Sequence, residues 1–159
     1  MPARSHREDA AAAEPGVAVD VGPLSGLIGH ALRGAQLAVS RDLAQQFAGL
    51  DIRPAQFSAL VVLRQNPGLR AGQVALALGM RRANFVAVLD GLEARGLAER
   101  GRAKDDRRAS ALFLTEAGAA MLARLEPLLA GHEAKFAARL GPDGRHQLMD
   151  LLHRIGDPG

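Results

Sequence analysis

Cysteine, tryptophan and tyrosine are absent from the 159 residues, and phenylalanine occurs only five times. Without cysteine there is no disulfide framework, no thiolate nucleophile and no Cys-based zinc or iron–sulfur site. That fits a reducing compartment. No stretch is apolar for long enough to cross a bilayer as a helix. Acidic residues interrupt Met1–Gly22 and no apolar core follows, so this stretch reads as a flexible tail and not as a secretory signal. Constellations that would mark an enzyme are also missing: no nucleophile sits beside a base, no GxGxxG or GxxxxGK loop cradles phosphate, and no carboxylates pair in an apolar setting. His30, His132, His146 and His153 share no metal-ligand spacing, and no cofactor is expected.

What is present is a globular chain. Hydrophobic content of 48% excludes wholesale disorder, and the length suits one domain with extensions. The formal charge of +3 hides an uneven distribution. Between Arg64 and Arg108 ten cations face five anions, a net +5, whereas the rest of the chain carries ten against twelve, a net −2. A basic middle between mildly acidic ends is the footprint of a phosphate-binding module, although a solvated charged surface would look the same by charge alone.

Periodicity supplies the elements. Pro23 suits a helix start, and Leu24, Leu27, Ile28, Ala31, Leu32, Ala35, Val39, Leu43 and Phe47 recur at spacings of three and four, predicting an amphipathic helix to about Ala48. Pro54 opens a second helix with Phe57, Leu60, Val61 and Leu63 as its apolar stripe, broken by Asn66-Pro67-Gly68. A short helix over Ala71–Leu78 carries Val74, Leu76 and Leu78. A fourth spans Arg81–Arg95, with Phe85, Val88, Leu89 and Leu92 inward and Gly96 as a left-handed cap. Leu97–Arg100 and Ser110–Leu114 read as strands of a hairpin around a polar tip, Gly101–Arg108. Thr115 is an N-cap for a further helix, which Pro127 should kink or break, and Gly141-Pro142-Asp143 precedes a last one.

Three short helices followed by a hairpin describe a winged helix-turn-helix, in a mainly α chain with one small β-hairpin. In that architecture the third helix enters the major groove and the hairpin tip lies against phosphates or the minor groove. Arg81, Arg82 and Asn84 stand at the start of the candidate recognition helix, and Arg102, Lys104, Arg107 and Arg108 stand at the wing tip. Helix pattern, hairpin and charge placement agree on double-stranded DNA as a partner. The alternative for Arg81 and Arg82 is solvated surface, and for Asn84 local helix capping.

Gly91-Leu92-Glu93-Ala94-Arg95-Gly96-Leu97-Ala98-Glu99-Arg100, then Asp105-Asp106-Arg107-Arg108, then Leu114-Thr115-Glu116-Ala117-Gly118 resemble the MarR family of bacterial transcription regulators. The resemblance runs from about Leu24 to Leu129. It implies a cytoplasmic homodimer with intertwined terminal helices, reading a pseudo-palindromic operator and released by a small aromatic acid or acyl-CoA that binds between the dimer helices and the DNA-binding lobe. It further implies that Arg108 is the minor-groove arginine of the wing and that Asp106 holds the wing in shape. Three positions make two departures from the family. Arg81 replaces a small hydroxyl cap, and Ala87 and Gly91 stand where arginine is frequent, leaving Arg82 and Asn84 as base readers.

The corresponding division is a tail (1–22), a dimerisation helix (23–50), the DNA-binding lobe (51–115) and C-terminal dimerisation helices (116–156). Broad apolar faces on the first helix, and at Leu122, Leu125, Leu129, Leu148, Leu151 and Leu152, suit an intertwined dimer, with an intramolecular bundle as the alternative. His30, Arg33, Gln36 and Ser40, with Phe57 on the next helix, are the candidate effector contacts, and ordinary surface exposure is their alternative. With no Tyr or Trp, Phe57 and Phe47 must supply any stacking. Without cysteine, an oxidation-sensing version of such a regulator is excluded. The leading reading is a ligand-responsive regulator, in the first place a repressor. The alternative is a constitutive or architectural DNA-binding protein with no effector.

Overall fold

The computed structural model describes residues 20–102 and 110–157. The expected tail therefore lies almost wholly outside the described residues, as does the hairpin tip. Two compact units are present, one ending at Ala35 and one starting at Gln36.

In the first unit Gly22–Gly26 forms a 3₁₀ turn containing Pro23, and the Ser25 hydroxyl donates to the Gly22 carbonyl at 2.9 Å. Leu27 is extended, with ψ 131°, and only then does α1 (Ile28–Phe47) begin. The expected start at Pro23 is thus one turn early. Glycines at 22, 26 and 29 raise the backbone entropy cost of a regular helix there. Leu24, Leu27 and Ile28 are all exposed.

The second unit holds the end of α1, α2 (Pro54–Gln65), α3 (Ala71–Ala77), α4 (Arg82–Ala94), β1 (Ala98–Arg102), β2 (Ser110–Leu114), α5 (Glu116–Leu140) and α6 (Gly144–Gly156). After α1 a 3₁₀ turn, Ala48–Leu50, leads to Asp51 in the left-handed region at φ 51°, a conformation that Asp tolerates better than most residues. The Arg95 guanidinium donates to the Leu50 carbonyl at 3.1 Å and to that of Asp51, so the end of α4 holds this turn in place. At the start of α2 the Gln56 side chain accepts from the Arg53 N–H at 2.9 Å, and Gln73 does the same for Arg70 before α3 at 2.8 Å. These glutamines satisfy N–H groups just outside their helices.

Phe47, Leu60, Leu63, Val74, Phe85, Leu89, Leu92, Leu112, Leu122 and Leu125 are enclosed together in one core. Each Leu or Phe buried this way contributes about 1.5–3 kcal/mol. Leu122 and Leu125 therefore face the core of their own chain and are not open to a partner, contrary to the expected dimer face. The reason is register: with Gly118 and His132 they form the buried stripe of α5.

The hairpin pairs antiparallel from Ala98 with Leu114 to Arg102 with Ser110, two residues further into the polar segment than expected. Leu69 adds a bridge to Leu112, with the Leu112 N–H donating to the Leu69 carbonyl at 2.9 Å. The Phe113 ring lies over Gly101, where a Cβ would come within 2.8 Å of it, so the wing root accepts only glycine without rearrangement. Thr115 caps α5 by accepting from the Gly118 N–H at 3.0 Å, and its hydroxyl donates to the Gly96 carbonyl at 2.7 Å. Gly96 has φ +64°, as a left-handed cap requires. α5 continues through Pro127 without a break; the side chain is exposed, and the one lost backbone bond is tolerated within 25 residues of helix. No helix among the described residues is long and apolar enough to cross a membrane.

Candidate nucleic-acid interface

α4 buries Phe85, Leu89 and Leu92 against the core, which leaves the opposite face to solvent: Arg82, Ala83, Asn84, Val86, Ala87 and Asp90 are exposed. Its N-cap is Arg81, whose extended backbone (φ −64°, ψ 138°) starts the helix without any side-chain cap. An arginine offers donors only, so it cannot cap free N–H groups, and the expected loss of the cap is observed. Asn84 does not cap the helix either. At Gly91 a Cβ would come within 2.9 Å of Gln56 Nε2, the end of a flexible side chain on α2, so a larger residue there would require that side chain to shift.

Two grooves flank α4. On the wing side a cleft of about 570 Å³ is lined by Arg70, Gln73, Leu76, Arg82, Arg100 and Ser110, among others. On the α2 side a groove of about 320 Å³ is lined by Arg53, Gln56, Met80, Asn84, Ala87 and Val88. Arg82 and Asn84 are thus on one helix face but open to different grooves. Leu76, part of the expected apolar set of α3, is 81% exposed, whereas Val74 is fully enclosed.

Not all of the basic segment is available to a phosphate. Arg64 pairs with Glu126, Arg95 holds backbone carbonyls, and Arg100 is engaged by both Glu93 and Asp90. Among the described residues Arg81, Arg82 and Arg102 carry no ion pair, and all three are exposed. Arg102 ends β1 and points the chain into the hairpin tip. Lys104, Asp106, Arg107 and Arg108 lie outside the described residues.

The expected effector contacts lie on α1 and α2. His30 and Arg33 are exposed on the part of α1 in the first unit, and Gln36 and Ser40 are exposed on the part in the second. Phe57 is half-buried on α2, its ring tilted 56° to that of Phe47 with centroids 5.2 Å apart. Phe47 is completely enclosed and offers no face to a ligand, which corrects its expected role. It closes the core at the end of α1.

A buried polar group escaped the sequence reading. Asp42 on α1 and His132 on α5 are both buried, with Asp42 Oδ2 2.8 Å from His132 Nδ1, and Lys135 Nζ donates to the other carboxylate oxygen. The Lys135 ammonium, then the His132 ring, hold the Asp42 carboxyl below the usual carboxylate range against the opposing effect of burial. His132 also meets the Phe136 ring edge-on at 4.9 Å, and the Arg139 guanidinium stacks 5.2 Å above Phe136. The signal was in the spacing, since His132 lies seven residues after Leu125 and three after Leu129, on the apolar stripe.

A helix-turn-helix whose exposed second helix begins with unpaired arginines, joined to a two-stranded wing, defines a winged-helix DNA-binding regulator. Residues 50–109 match the model of the MarR family. A putative transcriptional regulatory protein for the hcr operon of Thauera aromatica is 33% identical over 135 residues, covering 84% of this chain and 81% of that one. Among solved structures, the transcriptional repressor CouR bound to a 23-mer DNA duplex has a TM-score of 0.81 at 44% identity, over 87% of this chain and 99% of that chain. CouR bound to p-coumaroyl-CoA also gives 0.81, at 42% identity over 89% and 99%. The chain belongs to the MarR family of transcription regulators.

Proposed function

We propose that this protein is a ligand-responsive transcriptional repressor that binds a pseudo-palindromic operator as a homodimer and is released by an aryl-CoA thioester or a related aromatic acid. The observation that carries the DNA part is the exposed, unpaired cation set at the start of α4 and the end of β1, Arg81, Arg82 and Arg102, with Asn84 beside them. Arg82 and Asn84 read base edges, Arg81 and Arg102 neutralise phosphates, and Lys104, Arg107 and Arg108 extend that role to the wing tip, with Asp106 shaping it. The lobe over 51–115 does this work, and the segments 23–50 and 116–156 make the dimer. Leu24, Leu27 and Ile28 near one end, and Leu148, Leu151 and Ile155 near the other, are exposed apolar residues that a second copy would cover.

The aryl-CoA assignment is supported by likeness to the CouR structure that holds p-coumaroyl-CoA. Phe57, as the half-buried aromatic, and His30, Arg33, Gln36 and Ser40 along α1 are the proposed contacts. Release is a population shift: effector favours a spacing of the two recognition helices that no longer matches successive major grooves.

The test is a duplex selected by the protein from a randomised pool, titrated with p-coumaroyl-CoA and with free p-coumarate. The expected result is tight binding to the selected duplex, weak binding to a random one, and release by the thioester or the acid. A protein that prefers no duplex loses the whole reading. One that binds specifically, but is neither released nor thermally stabilised by either compound, keeps only the operator-binding part.

A further inference from the structure

We propose that Arg100 is a positioning residue for DNA binding: it locks the wing to the recognition helix at one angle and does not itself contact the duplex. The inference rests on the DNA-binding reading above.

The Arg100 guanidinium sits between β1 and α4. Its Nε donates to both carboxylate oxygens of Glu93, at 2.9 and 3.0 Å, and one terminal nitrogen donates to Asp90 Oδ1 at 3.2 Å. Asp90 and Glu93 are three residues apart, hence neighbours on one face of α4. Arg82, Val86, Asp90 and Glu93 follow one another at spacings of four, four and three, so the carboxylates that hold Arg100 continue the row that begins with Arg82. Arg82 and Arg100 also line the same cleft. The wing is therefore fastened to the helix that carries the expected base reader, on the side facing that reader.

The other end of the fastening is equally fixed. Arg100 lies opposite Leu112 in the hairpin register, and Leu112 is enclosed and hydrogen-bonded to Leu69. With its backbone held to the core on one side and its side chain to α4 on the other, the wing root has no free rotation relative to the recognition helix.

Charge argues against a direct phosphate contact. One arginine with two carboxylates sums to −1, so the cluster does not attract an anion. Of the donors that would grip a phosphate, Nε is taken by Glu93 and one terminal nitrogen by Asp90. The group is also partly exposed, with the Arg100 side chain at 43% and that of Glu93 at 27%, and ion pairs so placed add little to folding stability. What the geometry delivers is an angle.

The two roles make opposite predictions for one variant. Removing both anions, as in Asp90→Asn with Glu93→Gln, frees Arg100. A phosphate-contacting arginine would then bind DNA more tightly with a steeper salt dependence, whereas a positioning arginine would lose its anchor and binding would weaken. Arg100→Lys keeps the charge but cannot span two carboxylates with a planar fork.

Affinity is to be measured against salt for wild type, the double variant and Arg100→Lys, on the pool-selected duplex and on a random one. Both variants are expected to lose roughly tenfold on the selected duplex, the size typical of one broken coupling, with unchanged salt slope and little loss on the random duplex. Tighter, more salt-sensitive binding by the double variant, or wild-type affinity in Arg100→Lys, overturns the proposal. Should one variant fail to fold, as seen by circular dichroism, the other decides alone. A wild type that prefers no duplex instead overturns the DNA-binding reading, a result these variants do not mimic.

Discussion

Asp42 and His132, ninety positions apart, meet side chain to side chain at 2.8 Å inside the protein, joining α1 to α5 through a carboxylate and an imidazole. Lys135 holds the second oxygen. Because these partners depress the Asp42 carboxyl below its ordinary value of 3.8, the stabilisation from its charged form is present above that value and lost as pH falls through the lowered one. Urea unfolding across an acid series is expected to show stability falling away below the ordinary carboxylate range. Asp42→Asn should be less stable near neutrality and show a shallower acid decline. An identical acid decline in the variant would remove Asp42 from the account.

The cap of α5 sets a second expectation. Thr115→Ala removes the acceptor for the Gly118 N–H and the donor to the Gly96 carbonyl, at a cost of about 1–2 kcal/mol. Gly118→Ala should cost more, about 3 kcal/mol, since its Cβ would come within 2.1 Å of the Leu97 carbonyl oxygen and backbone must shift. Chemical denaturation of both variants tests the order, and a Gly118→Ala milder than Thr115→Ala would contradict this packing.

In α3 two neighbouring apolar residues are expected to behave oppositely. Val74 is enclosed and Leu76 is 81% exposed. Val74→Ala should therefore destabilise by about 1–3 kcal/mol, whereas Leu76→Ala should stay within about 0.5 kcal/mol. Equal effects would mean that α3 is rotated from the register described.

At the DNA face, Asn84→Ala should cost about 1–3 kcal/mol on the selected duplex and almost nothing on a random one, as expected of base readout. Arg102→Ala should weaken both and reduce the salt slope by about one, the signature of a phosphate contact. Binding titrations over a range of salt separate the two.

Elements with strong periodicity were visible in the sequence: Phe85, Leu89 and Leu92 mark the inner face of α4, and Thr115 with Gly118 marks the start of α5. The start of α1 was not, because Leu24 and Leu27 keep helical spacing although Gly22–Gly26 forms a 3₁₀ turn and Leu27 is extended. Spacing also cannot tell a face that serves the chain's own core from one that serves a partner, and so Leu122, Leu125 and Phe47 were misassigned. The candidate site was readable as far as Arg81, Arg82 and Asn84. Counting charges overstated it, since Arg95 and Arg100 are spent on carbonyls and carboxylates that only the fold brings near. Asp42 and His132 were missed for the same reason, each being an isolated polar residue until the helices meet.

Phe47 is both the last residue of α1 and part of the lobe's sealed core, its ring against Phe57 on α2. The end of the helix is thus built into the same core that carries α2 and α4. The short turn that follows is pinned by Arg95 from the end of the recognition helix, so it cannot act as a slack hinge. Displacing the Phe47 end of α1 would therefore disturb the packing of α2 and the Arg95 anchor at the end of α4 together.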